Sequence, residues 1–159
     1  MASLFDTTRN FSLYTIPAAW VLSIIPHFYA ITLYESATSK KYDTTKPRAS
    51  SAALAEDRSL DTATKNRITR AEGAQQNGFE NIGLFAAAVV AGNYAGLDTQ
   101  WLNALSGGYL VSRAVYSYVY VNNDNATMAN VRTGVFLSGI GMIFMLFVQA
   151  GNKLRSSVL

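Results

Sequence analysis

The sequence predicts an all-α protein, a four-helix transmembrane bundle in one domain over residues 1–159. Three observations carry that expectation. Mean hydropathy is only +0.12 and the apolar fraction 50%, near soluble values, yet the apolar residues collect in long blocks with the charges between them. The blocks fall at residues 11–34, 68–96, 101–121 and 131–150. Each is about the 20 residues that a helix needs to cross the hydrocarbon. Turn signals separate the last three: Gly96-Leu97-Asp98, then Asn122 to Asn125.

The first block, Phe11 to Tyr34, holds no Lys, Arg, Asp or Glu. Pro17 and Pro26 lie inside it, which membrane helices tolerate. Asp6 and the lack of a small-x-small site speak against a cleaved signal peptide. Residues 35–66 read as one polar loop, interrupted by Pro47, with a short helix expected near residues 51–58. The second block opens polar, with Arg70, Glu72, Gln75, Gln76, Asn77, Glu80 and Asn81, and turns apolar from Ile82. Gly83, Ala87 and Ala91, and Ala88 with Gly92, are small residues four apart, a spacing that lets membrane helices approach closely. The third block has one charge, Arg113; the fourth is expected to carry Arg132 in its first turn.

Composition excludes several chemistries. There is no cysteine, so no disulfide, thiolate metal site or cysteine nucleophile. One histidine builds no zinc site, and no metal is expected. The net charge of +3 comes chiefly from one loop and suits an anionic membrane face or a small polyanion; no nucleic-acid partner is expected. That loop carries Lys40, Lys41, Lys46, Arg48, Arg58, Lys65 and Arg67, whereas the loop at Asp98 carries no Lys or Arg. The positive-inside rule therefore puts the first loop in the cytosol and both termini on the lumenal side.

Helix direction then brings the start of helix two, the end of helix three and the start of helix four to one depth. At about 100° per residue, Arg70, Asn77 and Asn81 fall within roughly 20° of one another, flanked by Glu80. Arg113, Tyr116 and Tyr120 form a stripe on helix three. Charges at membrane depth pair, line a cavity or do work. Arginines bind carboxylates in a planar fork and a glutamate takes an amine, so the set suits a zwitterionic ligand with carboxylates. Plainer readings stand beside this: Arg70 as an interface marker, Glu80–Arg113 as an interhelical ion pair, His27 as a packing residue.

Residues 70 to 82, with Ala74, Asn77 and Glu80, resemble the second-helix motif of the MAPEG family, the membrane-associated proteins in eicosanoid and glutathione metabolism. Arg113 to Tyr120 resembles its third-helix pattern, and Ala129-Asn130-Val131-Arg132-Thr133 the opening of its fourth helix. Asp43 to Arg48 resembles a loop of its microbial members. The resemblance implies a homotrimer in the endoplasmic reticulum or another endomembrane, with glutathione bound between subunits on the cytosolic side. It implies Asn77, Glu80, Tyr116, Tyr120 and Arg132 as glutathione contacts, to which charge and depth add Arg70 and Arg113. Arg132 is the implied thiolate stabiliser, and Thr133 a hydroxyl donor to the sulfur. Gly73 stands where catalytic members carry an arginine, and no arginine ends helix one. The expected function is a glutathione-dependent transferase or peroxidase acting on a lipophilic electrophile or lipid hydroperoxide. The alternatives are a lipid-binding scaffold without chemistry and a small proton-coupled exporter.

Overall fold

The computed structural model describes residues 8–43, 45, 54 and 56–157. A single 3-10 turn, Ser12–Tyr14, leads into helix α1, Thr15–Thr38; α2 spans Thr62–Tyr94, α3 Thr99–Asn122 and α4 Ala126–Ser157. No strand occurs among the described residues. The four helices match the predicted four, but their ends do not coincide with the apolar blocks, and side-chain caps rather than hydropathy set the starts of α2, α3 and α4. Asp61 accepts the Thr64 N–H and starts α2 one and a half turns before the apolar block. Asp98 accepts from Gln100 and Trp101 at the start of α3. Asn125 accepts the Met128 N–H at 3.0 Å and starts α4 at Ala126. The short helix expected near residues 51–58 falls mostly outside the described residues, as does much of the loop from Asp43 to Arg48.

Two packed regions hold the bundle. Towards the termini, Ala19, Phe85, Val89, Leu102, Tyr109 and Leu146 form a buried core in which the Phe85 and Tyr109 rings stack at 4.0 Å. Towards the basic loop, Ala30, Leu60, Ile68, Ala71, Ala74 and Val121 form a second. Small residues set the helix spacing. A methyl at Gly78 would lie 2.8 Å from the Ser23 Cβ, and one at Gly92 2.8 Å from Leu102. Of the two small-residue stripes on α2, Ala88 and Gly92 face inward and are buried; Gly83 and Ala87 face outward and are exposed.

An asparagine network that hydropathy gives no hint of ties the chain's start to the far ends of α2 and α3. Asn10 donates to Asn93 at 2.6 Å, Asn93 to the Ser12 hydroxyl at 2.9 Å, and the Phe11 N–H to Asn103 at 2.8 Å. In the basic loop Asp57 is held near pKa 2, first by the Ser59 hydroxyl and then by the Ser59 backbone N–H. The Tyr34 hydroxyl also donates to it at 3.0 Å. Two helical stretches, Ser12–Thr38 and Ala126–Ser156, are long and apolar enough by themselves to cross a bilayer. α2 and α3 carry polar groups within their length, and those groups meet inside the bundle.

Candidate functional site

The polar stripe of α2 lies against the descending end of α3 as a ladder. Arg70 Nε donates to the Val121 carbonyl at 3.0 Å. One turn on, Gly73 makes room for Tyr120, whose hydroxyl lies 3.0 Å from where a Cβ on residue 73 would sit. A further turn on, Asn77 accepts from Arg113 Nη2 at 2.6 Å. Antiparallel helices place these pairs at successive levels, so residues that share one helical face act at different depths.

The lowest rung opens into a cavity of about 260 Å³ lined by Asn77, Tyr116, Tyr120, Arg132, Thr133 and Phe136. Arg132 on its lining, and Arg113 packed against its lining residues Asn77, Tyr116 and Phe136, are held by aromatic faces. The Arg113 guanidinium lies 4.3 Å from the Tyr116 ring centre and 5.5 Å from that of Phe136. Arg132 lies 4.7 Å above Tyr120. A cation over a ring face is stabilised without being neutralised, so both arginines keep charge to offer an anion. Arg113 is only 6% exposed, and its Nη1 is buried with no hydrogen-bond partner. A buried guanidinium with an unused donor is costly unless a ligand satisfies it.

The predicted residues divide accordingly. Asn77, Arg113, Tyr116, Tyr120, Arg132 and Thr133 converge. Arg70 lines a separate cavity with Arg67 and Asn122. Glu80 is exposed, accepts from Gln76 Nε2 at 3.1 Å, and makes no ion pair with Arg113, so the interhelical-pair reading does not hold within the chain. Thr133 spends its hydroxyl proton on the Ala129 carbonyl at 3.1 Å and points an oxygen lone pair, not a donor, elsewhere. Arg132 was expected in the first turn of its helix. With α4 starting at Ala126 it lies more than a turn and a half inside, beyond the reach of the helix dipole, which fades within the first turn. Any stabilisation of an anion by Arg132 is therefore its own charge.

Two residues escaped the sequence reading. Phe136 walls the cavity one turn beyond Arg132; an apolar residue in an apolar helix carries no signal of this. His27 does not merely pack: Nδ1 lies 2.9 Å from Glu72, which joins α1 to α2. No group of His, Cys, Asp and Glu able to hold a metal occurs among the described residues.

The family model of the MAPEG family matches residues 14–152, nearly the whole chain. No curated protein and no solved structure matches it.

Proposed function

The chain belongs to the MAPEG family, membrane proteins of eicosanoid and glutathione metabolism, and on that premise we propose that it is a glutathione-dependent transferase or peroxidase acting on lipophilic electrophiles or lipid hydroperoxides. The observation that carries this reading is the buried guanidinium of Arg113, its Nη1 without a hydrogen-bond partner, beside a cavity with a second arginine. Glutathione offers two carboxylates, an amine and a thiol. Arg113 suits a carboxylate, Asn77 orients the peptide, and Tyr116 and Tyr120 supply phenol hydroxyls. Arg132 faces the sulfur, and its charge favours the thiolate. The thiol proton leaves to solvent. The thiolate then attacks an electrophilic carbon, displacing its leaving group or opening an epoxide, or attacks the distal oxygen of a hydroperoxide. In the second case the O–O bond breaks to release the alcohol and leave a glutathione sulfenic acid, which a second glutathione converts to the disulfide and water. Thr133 acts as wall rather than sulfur donor unless its hydroxyl turns away from Ala129.

At about 260 Å³ the cavity is smaller than the roughly 300–1,000 Å³ usual for small-molecule sites. Half a site at a subunit boundary would look like this. The exposed Gly83 and Ala87, and the outward Glu80, then belong to a homotrimer interface, with Glu80 meeting the ligand's amine across it; Arg70 stays with the neighbouring basic cavity. Ala87→Leu is expected to thicken that contact and shift the protein in mild detergent from oligomer to monomer, read by size-exclusion with light scattering. An unchanged trimer would place the interface elsewhere; a wild-type monomer in every detergent would remove the intersubunit site.

The reading is tested by titrating purified protein with millimolar glutathione and following thiolate absorbance against pH. A bound thiol ionising below its free value supports it. Binding without thiolate would favour the lipid-binding scaffold.

The proposed topology has four crossings, the basic loop cytosolic and the termini in the lumen of an endomembrane such as the endoplasmic reticulum. Asn125-Ala126-Thr127 is a glycosylation sequon whose asparagine caps α4 on the cytosolic side. Expressed in a eukaryotic host, Asn125 is expected to stay unmodified; a glycan there, seen as an enzyme-sensitive mass shift, would invert the orientation.

A further inference from the structure

On the side of α3 away from the glutathione cavity lies a second, larger site, roughly 130° around the helix at 100° per residue. An apolar groove of about 490 Å³ runs between α1 and α3. α1 supplies Leu22, Ile25 and Tyr29, and α3 supplies Ala114, Tyr118 and Val121. Ile25 and Tyr118 are 51% and 70% exposed, so the groove opens sideways to the surrounding lipid. At its loop end stand Arg67 and Asn122. These same two residues also line a polar cavity of about 370 Å³, together with Arg70, Thr64 and Asp124. An apolar trough and a basic chamber thus meet at one pair of side chains.

Charge says what the chamber takes. Arg67 donates to the Asn122 side-chain oxygen, a neutral partner, and lies 6.0 Å from the Tyr29 ring centre. Arg70 donates its Nε to the Val121 carbonyl. Neither arginine makes an ion pair among the described residues. Asp124 is the one carboxylate on the lining, so the chamber carries a net positive charge at the membrane–water boundary. A guanidinium pair binds phosphate in bidentate geometry, and basic pockets between helices at that boundary collect anionic headgroups.

We infer that this is a binding site for an anionic phospholipid of the loop-side leaflet, its phosphate between Arg67 and Arg70 and one acyl chain in the α1–α3 groove. The inference does not depend on the glutathione reading, since the two cavities share no residue. Such a lipid would brace α1 against α3.

Native mass spectrometry of the intact protein in mild detergent, titrated with equal phosphatidylserine and phosphatidylcholine, tests it. Both lipids carry the phosphate, but the choline cation faces the net positive chamber, so wild type is expected to retain phosphatidylserine about ten-fold over phosphatidylcholine. Arg67→Gln should abolish that preference, and Arg67→Lys should keep part of it. Asn122→Asp, which gives Arg67 an internal carboxylate, should abolish it too, and serves should Arg67→Gln fold poorly. Ala114→Trp, filling the trough, should lose both lipids while the oligomer stays intact. Equal retention of the two lipids by wild type would overturn the inference, as would a preference that survives both Arg67→Gln and Asn122→Asp. So would an oligomer that falls apart in Ala114→Trp, because a second copy of the chain would then be what covers the groove.

Discussion

Replacing Arg132 with leucine is expected to move the ionisation of bound glutathione to higher pH by about one to two units, a ten- to hundred-fold loss of thiolate near neutrality. A hydrogen bond to a charged group is worth roughly 1.5–3 kcal/mol, which is a shift of that size. The sign is set by the cation: it stabilises the thiolate and not the thiol, so its removal raises the thiol pKa. The structure narrows the cause. Arg132 lines the cavity and lies over Tyr120 at 4.7 Å, but it stands too far inside α4 for the helix terminus to assist. The whole effect must therefore travel with the side chain. Much of the affinity should survive, because Arg113 and Tyr116 remain. Glu80→Gln is the complement: weaker binding, with a smaller change in ionisation. Absorbance titrations of wild type and both variants decide the matter. A wild-type curve from Arg132→Leu would remove Arg132 from the role.

Much of this was legible before any coordinates. Hydropathy blocks found four helices, and their alternating directions brought the start of α2 and the end of α3 to one depth, where Asn77 and Arg113 are hydrogen-bonded. What hydropathy could not supply was the ends of the helices. Asp61 and Asn125 start α2 and α4 by accepting backbone N–H groups, and a cap leaves no mark on an apolar average. The early start of α4 takes Arg132 out of the first turn and away from the helix dipole. Side-chain direction was equally hidden. Arg70 shares a face with Asn77 but sits nearly two turns away and reaches Val121, into the basic chamber rather than the polar cavity.

Gly73 shows how a departure from a family pattern is read differently in three dimensions. As sequence it is a missing arginine. In the bundle it is the space that Tyr120 fills, with the ring in turn beneath Arg132. An arginine restored at 73 would have to push Tyr120 aside, so Gly73→Arg exchanges one cation for the support of another. The glycine belongs to the packing of α2, α3 and α4 around Tyr120 and Arg132.

Arg113 offers the test with the largest separation between stability and function. A buried guanidinium with an idle donor is a liability to a fold that does not use it, and apolar replacements of buried charges are often neutral or stabilising. Arg113→Met keeps a long flexible stem among Tyr109, Tyr116 and Phe136 and leaves one acceptor, Asn77 Oδ1, without its donor. These opposing changes should leave the unliganded protein within about 1 kcal/mol of wild type. Binding should respond otherwise. Loss of a bidentate carboxylate contact in a buried site is expected to weaken glutathione about a hundred-fold. Thermal unfolding with and without millimolar glutathione reads both at once, since a ligand raises the midpoint only insofar as it binds the folded state. Wild type should show a ligand-dependent rise, and Arg113→Met a similar starting midpoint with no rise. A variant that unfolds far earlier yet still gains the wild-type increment would make Arg113 a structural strut, and the carboxylate would have to be sought at another cation.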